Sequence, residues 1–323
     1  MQTMKLGHSG LEVSAMALGC MYFGTSIDEQ QSFRLLDQYV DAGGRFLDTA
    51  NNYAFWVEGF QGGESEQLLG RWFNARKNRD EIFLATKVGF NMPPRVPVSL
   101  SRQTIIEQCE NSLRQLQTDH IDLYYAHTDD RDTPLEETLE AFDQLMKQGK
   151  IRAVACSNTL AWRIEQARTL SRMHGWPEYC AVQQRHSYLT PKSNVRKHSN
   201  GQVSTTIDLI DYAIEHADDF VIIPYSILMG GIYAGSDDRI PGNYSVEDYS
   251  QAEVSAKLKV LREVAAEVGA TPNQVVIAWL MQNTPRMLPL ISSSSQERLQ
   301  ENIDAANVTL TAEQIDRLNN VSY

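Results

Sequence analysis

Eight short apolar runs recur along the chain, separated by longer stretches in which apolar residues return every three to four positions. The runs are SAMALGC, RFLDTA, IFLATKV, IDLYYAH, IRAVACS, CAVQQR, FVIIPYS and MLPLIS. Each is almost continuously apolar, which is typical of strands buried on both faces of a parallel sheet with helices outside it. The pattern therefore predicts an α/β fold.

The stretches between the runs have helical spacing. Residues 28–42, residues 101–117 and the segment from Pro134 to Gly149 each place apolar side chains on one face of a helix. Proline is favoured in the first turn of a helix and glycine after its end, so Pro134 and Gly149 mark the expected boundaries of the third segment. Repeated strand and helix units form either an open doubly wound sheet or a closed (β/α)8 barrel.

The barrel is favoured by the number of units and by the turn after the first run. A doubly wound dinucleotide domain has G-x-G-x-x-G at this turn, whereas the sequence ALGCMYFGTS contains only Gly19 and Gly24. We therefore predict a single (β/α)8 TIM barrel domain that spans residues 1–323. The initial segment MKLGHSGLEVS predicts a β-hairpin that turns at Ser9-Gly10 and caps the closed end of the barrel.

Composition and charge narrow the possible partners. The chain of 323 residues is 42% hydrophobic, with a formal net charge of −12 and a pI of about 5.1, which argues against a nucleic-acid-binding or anionic-membrane surface. The first residues lack the long apolar stretch of a signal peptide or membrane span, so we expect a cytoplasmic protein with a small-molecule partner. Cys20, Cys109, Cys156 and Cys180 are far apart and are expected to be buried free thiols.

Almost every predicted strand ends in a polar or aromatic residue. These residues are Asp48, Lys87, His127, Ser157, Asn158, Gln183, Tyr225 and Ser292. Taken one at a time, such residues are more often caps, solvated strand ends or a satisfied core histidine. In a barrel, however, the strand ends surround one axis, and catalytic groups come from several of them. The irregular stretches expected at the same face are residues 54–63, 91–100, 190–203 and 230–250.

Asp48, Lys87 and His127, with the nearby Tyr53, have the chemistry needed to transfer a proton to a carbonyl oxygen. A free phenol has a pKa of about 10, and a nearby ammonium lowers it. We predict that Lys87 has this effect on Tyr53 and that Asp48 is its ion-pair partner. His127 would donate a hydrogen bond to the substrate oxygen. Since no side chain supplies a hydride, a nicotinamide cofactor is implied.

These residues lie in segments that resemble the aldo-keto reductases, which are NAD(P)H-dependent enzymes on a (β/α)8 barrel. RFLDTANNYAFW with GGESEQLLG resembles the family's aspartate-to-tyrosine signature, IFLATKVG its lysine segment and IDLYYAH its histidine segment. The resemblance covers essentially the whole chain. It implies an oxidoreductase that reduces an aldehyde or ketone to an alcohol, with Tyr53 as general acid and Asp48, Lys87 and His127 completing a catalytic tetrad.

The resemblance also implies a cofactor site. In ACSN and AVQ it implies that Ser157, Asn158 and Gln183 bind the nicotinamide carboxamide, and in IIPYSILMGG that Tyr225 stacks on the nicotinamide ring. The contacts implied in the following loop, which covers the pyrophosphate, are Ser226, Leu228 and Gly230. ISSSSQERLQENIDA resembles the adenosine-end motif, and the contacts implied there are Ser292, Ser293, Arg298, Glu301 and Asn302.

The chain departs from the family pattern at two places. Ser292 to Ser295 stand where many relatives have a basic or glycine-containing turn, so a hydroxyl replaces one expected phosphate contact. The resemblance still favours NADP(H), because Arg298 is at the position that often meets the 2′-phosphate, with NAD(H) as the alternative. The family's QxEYS stretch reads QQRHS here, and Arg185, His186 and Ser187 either repack the barrel rim or contact substrate.

The loop YAFWVEGFQGGES places Phe55, Trp56 and Phe60 just after Tyr53. Aromatic residues beside a site usually form its wall, so we expect these three, together with His127, to contact the substrate. An aromatic wall near arginine and histidine suits a sugar-like or an aromatic carbonyl compound.

Three other functions are compatible with parts of the sequence. A strand-end lysine in a barrel can form a Schiff base, so Lys87 also fits a lyase or aldolase, although that enzyme would not need the two cofactor motifs. A metal hydrolase fits less well because His127, Asp129 and Asp130 lack a second histidine at ligand spacing. Some members of the family, such as potassium-channel β subunits, are non-catalytic cofactor-binding regulatory subunits. The physiological substrate, the reaction direction and the oligomeric state stay open.

Overall fold

The apolar runs form the strands of a closed parallel sheet. The computed structural model describes residues 1–90, 98–195, 201–235, 238–241 and 244–322. Its strands are β1 (Thr3–Lys5), β2 (Glu12–Ser14), β3 (Ala17–Gly19), β4 (Phe46–Asp48), β5 (Phe83–Val88), β6 (Ile121–Ala126), β7 (Ile151–Ser157), β8 (Tyr179–Arg185), β9 (Val221–Tyr225) and β10 (Leu290–Ile291). The parallel order is β10-β3-β4-β5-β6-β7-β8-β9. The backbone N–H of Leu288 donates to the carbonyl of Ile222 at 3.0 Å and joins the two ends of the sheet.

Helices follow the strands and cover the sheet. They are α1 (Glu29–Asp41), α2 (Glu64–Arg76), α3 (Arg102–Leu116), α4 (Leu135–Lys147), α5 (Ala161–His174), α6 (Ile207–Glu215), α7 (Gln251–Val268), α8 (Pro272–Gln282), α9 (Gln296–Asp304) and α10 (Ala312–Asn319). The three helices predicted from spacing correspond to α1, α3 and α4. Pro134 is the residue before α4 and not its first helical residue, a shift of one position that is common at helix ends. The (β/α)8 barrel prediction is confirmed.

Local sequence explains where several helices begin. The carboxylate of Asp28 accepts a 2.8 Å hydrogen bond from the backbone N–H of Gln31 and caps α1. A capping box of Thr271 and Gln274 starts α8, which leads into β10. α7 and α10 pack against each other outside this ring, where Arg317 pairs with Glu267. No helix in the described part of the chain is long and apolar enough to cross a membrane.

The hairpin of β1 and β2 closes the N-terminal end of the barrel, as predicted. Leu6 and Val13 of this hairpin belong to the core inside the barrel, together with strand residues such as Phe46 and Leu123. Gly7 adopts a left-handed backbone with φ of +50°, and an added Cβ would lie 2.4 Å from the carbonyl oxygen of Cys180. A second core lies between the strands and the helices. The four cysteines are all buried free thiols, which confirms the prediction.

The irregular stretches lie where the strands end, at the opposite face. Residues 54–63 form a series of turns between β4 and α2. The stretch 230–250 contains two short 3-10 helices, Met229–Ala234 and Val246–Asp248. Residues 91–97, 196–200, 236–237 and 242–243, which belong to the predicted stretches 91–100, 190–203 and 230–250, lie outside the described residues. We call this face the mouth of the barrel.

Candidate active site

Lys87 lies at the centre of the polar cluster in the mouth. Its Nζ atom donates to Asp48 Oδ1 at 2.5 Å, to the carbonyl oxygen of Thr49 at 2.6 Å and to the hydroxyl oxygen of Tyr53 at 2.8 Å. The Lys87 side chain is fully buried and that of Asp48 is 1% exposed. The ion pair is therefore shielded from water, where a lone buried ammonium would be very unfavourable. All three hydrogen-bond donors of the ammonium are satisfied.

Strand geometry explains why these groups meet. Asp48 ends β4 and Lys87 is the fifth residue of β5, the neighbouring strand in the sheet. Tyr53 is brought back over the strand end by the turns that follow Asn51. The second carboxylate oxygen of Asp48 accepts a 2.8 Å hydrogen bond from the amide of Gln183. Both oxygens of Asp48 are thus held, and the carboxylate cannot rotate away from Lys87.

The ionisation of Tyr53 differs from the sequence prediction. Burial raises the pKa of Tyr53 well above its usual value, and the negative charge of Asp48 raises it further. The predicted lowering by Lys87 is therefore wrong for this arrangement. There are two physical reasons. The carboxylate of Asp48 pairs with the Lys87 ammonium and offsets the effect of its positive charge on Tyr53, and burial away from water disfavours the charged phenolate. Tyr53 stays a neutral phenol that keeps its proton.

Burial also perturbs the two charged partners and His127. It lowers the pKa of Lys87 and raises the pKa of Asp48, and in each case the other member of the pair opposes the change. Burial, with a smaller effect of Lys87, lowers the pKa of His127 well below its usual value. The imidazole is therefore neutral at physiological pH and carries a single N–H. Its Nδ1 atom is buried without a hydrogen-bond partner in the described structure.

Aromatic rings hold His127 in place. The ring of Phe90 is 4.9 Å from the imidazole and that of Tyr53 is 6.0 Å from it, measured between centroids. His127 follows the last residue of β6, and its backbone carbonyl accepts a 3.1 Å hydrogen bond from the side-chain amide of Asn158. The imidazole and the phenol of Tyr53 are therefore neighbours at the mouth.

Asn158 connects several of the residues assigned to the nicotinamide by resemblance. Its Nδ2 atom also donates to the Ser157 hydroxyl at 3.1 Å, and its Oδ1 atom accepts from the Tyr225 hydroxyl at 2.7 Å and from the backbone N–H of Val203 at 3.1 Å. Asn158 has a left-handed backbone with φ of 54°, which asparagine tolerates better than most residues. The structure thus brings Ser157, Asn158 and Tyr225 together, and Gln183 lies beside Asp48.

The loop after β9 has an unusual backbone. Ser226, Met229, Gly230 and Gly231 all have positive φ values, 57°, 45°, 67° and 93°. Left-handed residues of this kind turn backbone N–H groups toward one side, an arrangement that suits anions. Ser226 lies directly after the last residue of β9, and Leu228 and Gly230 belong to the same tight loop.

The residues assigned to the adenosine end lie at the start of α9. The hydroxyl of Ser295 accepts a 3.3 Å hydrogen bond from the backbone N–H of Arg298 and caps the helix, and the Arg298 side chain is exposed. The remaining contacts tie this motif to the scaffold. The Ser293 hydroxyl donates a hydrogen bond to the carbonyl of Ser295 at 2.7 Å, and the side-chain amide of Asn302 donates to the carbonyl of Ser292 at 3.2 Å. The Thr271 hydroxyl donates to the carboxylate of Glu301 at 2.6 Å.

The expected aromatic wall is present in part. Phe55 and Trp56 pack edge to face with centroids 5.1 Å apart, and Trp56, which is 47% exposed, contacts Tyr22 in the same way at 6.4 Å. Phe60 is half-buried and pairs with none of these rings within the described residues. Tyr22 comes from the segment after β3, which the sequence reasoning did not consider.

Two further residues were missed. Phe90, which packs on His127, follows β5 by two positions. Tyr125 is the register partner of Lys87, whose Nζ atom lies 5.4 Å from the Tyr125 ring. The sequence could have identified Tyr125, because side chains two positions apart along a strand face the same side and Tyr125 precedes His127 by two positions. Phe90 and Tyr22 lie in loops, where no such period exists.

The fold and this site define a (β/α)8-barrel enzyme with its polar groups at the carboxyl ends of the strands. A model of the Aldo/keto reductase family matches residues 15–322. The chain therefore belongs to the aldo/keto reductase family and is an oxidoreductase of that type.

Three relatives show how far the similarity extends. An aryl-alcohol dehydrogenase [NADP(+)] of Phanerodontia chrysosporium is 30% identical, over 96% of this chain and 83% of its own length. An uncharacterized oxidoreductase, YrpG, of Bacillus subtilis (strain 168) is 29% identical, over 98% of this chain and 94% of its own length. A norsolorinic acid reductase of Aspergillus flavus is also 29% identical, over 95% of this chain and 77% of its own length.

Proposed function

We propose that this protein reduces an aldehyde or ketone to an alcohol with NAD(P)H, and that Tyr53 is the general acid. The observation that carries the proposal is the position of Lys87 Nζ, within hydrogen-bond distance of both Asp48 and the Tyr53 hydroxyl oxygen. The lysine donates to that oxygen, so this contact does not use the phenol proton, which Tyr53 can give to a substrate. The raised pKa of Tyr53 keeps this proton in place until a stronger base is present.

Lys87 acts after the proton has left. As a carbonyl oxygen gains negative charge it becomes basic enough to take the proton of Tyr53, and a phenolate remains. The Lys87 ammonium, 2.8 Å from the phenolate oxygen, stabilises that charge without any rearrangement. Asp48 keeps the ammonium in place and protonated. The neutral imidazole of His127 donates its N–H to the same substrate oxygen and orients the carbonyl.

The residues around the mouth fit a nicotinamide cofactor, which supplies a hydride when bound. The Ser157 hydroxyl and the side-chain amides of Asn158 and Gln183 are polar groups that can bind a carboxamide, and Tyr225 offers a ring for stacking. The left-handed loop from Ser226 to Gly231 can bind the diphosphate through its N–H groups.

We favour NADP(H) over NAD(H). The exposed Arg298 lies in the first turn of α9, where its cation and the helix N-terminus can both meet a 2′-phosphate. The resemblance assigns Ser292, Ser293, Glu301 and Asn302 to the same end of the cofactor. A relative named as an NADP(+)-dependent aryl-alcohol dehydrogenase is consistent with this preference.

We infer an aromatic carbonyl substrate. Phe90 packs on His127, and Phe55 and Trp56, which follow Tyr53 closely in the chain, pack with each other. Trp56 also packs on Tyr22. Flat aromatic groups gain from edge and face contacts with such rings. The names of two relatives, an aryl-alcohol dehydrogenase and a norsolorinic acid reductase, support this choice over a sugar-like compound. Phe60 is a more distant member of this wall.

A Schiff-base function for Lys87 is disfavoured by its contacts. A lysine nucleophile must be a neutral amine that reaches the substrate, whereas Lys87 is fully buried and all three of its donors are used. A purely regulatory cofactor-binding role would not require the hydrogen bond between Lys87 and Tyr53.

The decisive variant is Tyr53→Phe. It removes only the hydroxyl group, so we expect kcat for a panel of aromatic aldehydes to fall by about 10²–10⁴-fold. NADPH binding, followed by quenching of protein fluorescence, should stay within about two-fold because the phenol is not among the cofactor residues. Retention of most of the activity would overturn the assignment of Tyr53.

A further inference from the structure

Arg185 is a buried cation at the mouth that the proposed reaction does not use. It is the last residue of β8, two positions after Gln183, and its register partner is Tyr225. Only 9% of its surface is exposed. Its guanidinium lies 4.5 Å from the centre of the Tyr244 ring, and it donates to Gln202 Oε1 at 3.3 Å and to the Tyr249 hydroxyl at 3.4 Å.

The charge of Arg185 has no matching carboxylate in the described part of the chain. Within the described residues no carboxylate lies at ion-pair distance from it, and its hydrogen bonds to neutral acceptors are long. Arg168 shows the usual solution in this protein. It is also buried, with 1% of its surface exposed, and its guanidinium pairs with Asp219 at 2.9 Å and Glu178 at 3.3 Å. A buried cation without an anion is costly, so a site such as that of Arg185 is better completed by an anionic ligand.

A narrow cleft adjoins Arg185 between the ends of β8 and β9. The cleft is partly open to solvent, and the empty space in it and at its opening amounts to about 270 Å³. Hydroxyl groups line it, and they belong to Ser187, Thr190, Ser204, Thr205, Ser226 and Tyr249. Hydroxyl and guanidinium groups together are the donors that bind oxyanions in proteins, and arginine does so through two parallel hydrogen bonds.

We propose that Arg185 is the cation of an oxyanion-binding site in this cleft. The ligand is a phosphate or carboxylate group, which comes either from the cofactor's diphosphate or from an acidic substituent on the substrate. Ser226 connects the cleft to the loop after β9, whereas the position of Arg185 two residues beyond Gln183 connects it to the reaction centre. Both possible sources rest on the proposed function, because they assume that the protein binds NAD(P)H and a carbonyl substrate. Tyr244 and Tyr249 hold the guanidinium in place for either one.

The test compares Arg185→Met, which keeps an unbranched apolar stem but removes the charge, with Arg185→Lys, which keeps the charge. Arg152→Met is the matched control, because it removes a cation at the closed end of the barrel. Melting temperatures identify any variant that fails to fold. NADPH and NADH are titrated into each protein, and dissociation constants are taken from fluorescence quenching at two ionic strengths.

If the ligand is the diphosphate, Arg185→Met should weaken both cofactors equally, by about ten-fold or about 1.4 kcal/mol. The variant should also lose part of the salt dependence of binding, while Arg185→Lys, which keeps the charge but not the two parallel hydrogen bonds, should show a smaller loss and Arg152→Met should stay near the original values. A loss for NADPH alone would contradict the proposal, because the 2′-phosphate is the only group that NADH lacks.

The substrate arm uses 4-carboxybenzaldehyde and its neutral methyl ester. If the anion belongs to the substrate, Arg185→Met should raise KM for the acid by about ten-fold and leave KM for the ester nearly unchanged. A folded Arg185→Met protein with unchanged cofactor affinity and an unchanged ratio of the two KM values would overturn the site. Cofactor titration needs no turnover, so an absence of carbonyl reduction would count against the proposed function and not against this result.

Discussion

Both ends of the barrel bury charged residues, and the comparison between them separates stability from function. At the closed end, Asp122 in β6 accepts hydrogen bonds from Arg79 at 2.9 Å, from Arg152 at 2.8 Å and from the backbone N–H of Leu84 at 2.9 Å. Arg168 likewise has its two carboxylates and the hydroxyl of Tyr212. These groups have little capacity left for a ligand.

The mouth is different because its unpaired polar groups lie beside the candidate catalytic residues. His127 Nδ1 and the Tyr125 hydroxyl are buried without hydrogen-bond partners in the described structure, next to Tyr53 and Lys87, and Arg185 has no carboxylate there. The closed end also has unpaired atoms, such as Arg168 Nε and His120 Nε2, but they belong to side chains that already contact carboxylates. In barrels of this kind the closed end serves stability and the mouth serves chemistry, and here the difference lies in where the unpaired atoms are and not in their number.

The largest effect is expected from Lys87→Met. It removes the cation that stabilises a Tyr53 phenolate, so kcat should fall by about 10²–10⁴-fold. It also leaves Asp48 buried without its partner, so the free energy of unfolding should fall by roughly 3 kcal/mol. The double variant Lys87→Met with Asp48→Asn removes both charges and should recover most of the stability but none of the turnover. Recovered turnover in the double variant would contradict the role of Lys87.

Asp122→Asn should reduce stability but leave the activity unchanged. It removes the only negative charge shared by Arg79 and Arg152, and Arg79 is largely buried, so urea denaturation should show a loss of roughly 3 kcal/mol. The exposed Arg152 contributes little of this. For the protein that stays folded, kcat and KM should be unchanged. A change in kcat larger than about three-fold would break the separation between the two ends.

A smaller effect is expected from Trp56→Ala. The indole packs on Phe55 and Tyr22 at the mouth, and a lost ring contact is worth about 0.5–1.5 kcal/mol. KM for an aromatic aldehyde should therefore rise by a few-fold to about ten-fold. KM for a short aliphatic aldehyde serves as the comparison and should hardly change. Equal increases for both substrates would mean that Trp56 supports the loop and does not contact the ring of the substrate.

The smallest effect is expected from pH. Reduction requires a protonated Tyr53, whose raised pKa means that the proton is lost only above the usual range of a phenol. It also requires a neutral His127, whose lowered pKa means that the imidazole becomes charged only in acid. The rate of the reduction step should therefore be flat from about pH 6.5 to about pH 9. Single-turnover rates measured across this range would contradict the assignment if they showed a titration near pH 7.

Sequence reasoning predicted the scaffold and the meeting of Asp48, Tyr53 and Lys87, and the reasons are physical. Apolar runs and helical spacing report burial directly, and a closed barrel forces strand ends together. The ionisation of Tyr53 could not be predicted because it depends on how deeply the phenol is buried and on which charge lies beside the lysine. The contacts of Tyr22 depend on loop conformation, which no sequence period encodes. The surroundings of Arg185, which has no carboxylate partner among the described residues, depend on long-range packing.

The burial of the four cysteines affects how the protein reacts with oxidants and electrophiles. All are buried, and burial raises the pKa of each thiol, which for Cys109 and Cys180 reaches about 12. Peroxides and electrophilic carbonyl compounds attack thiolates, and the folded protein offers them almost none. The native protein thus has no accessible thiol for an electrophilic compound to modify. Alkylation of these thiols requires unfolding, which would expose them.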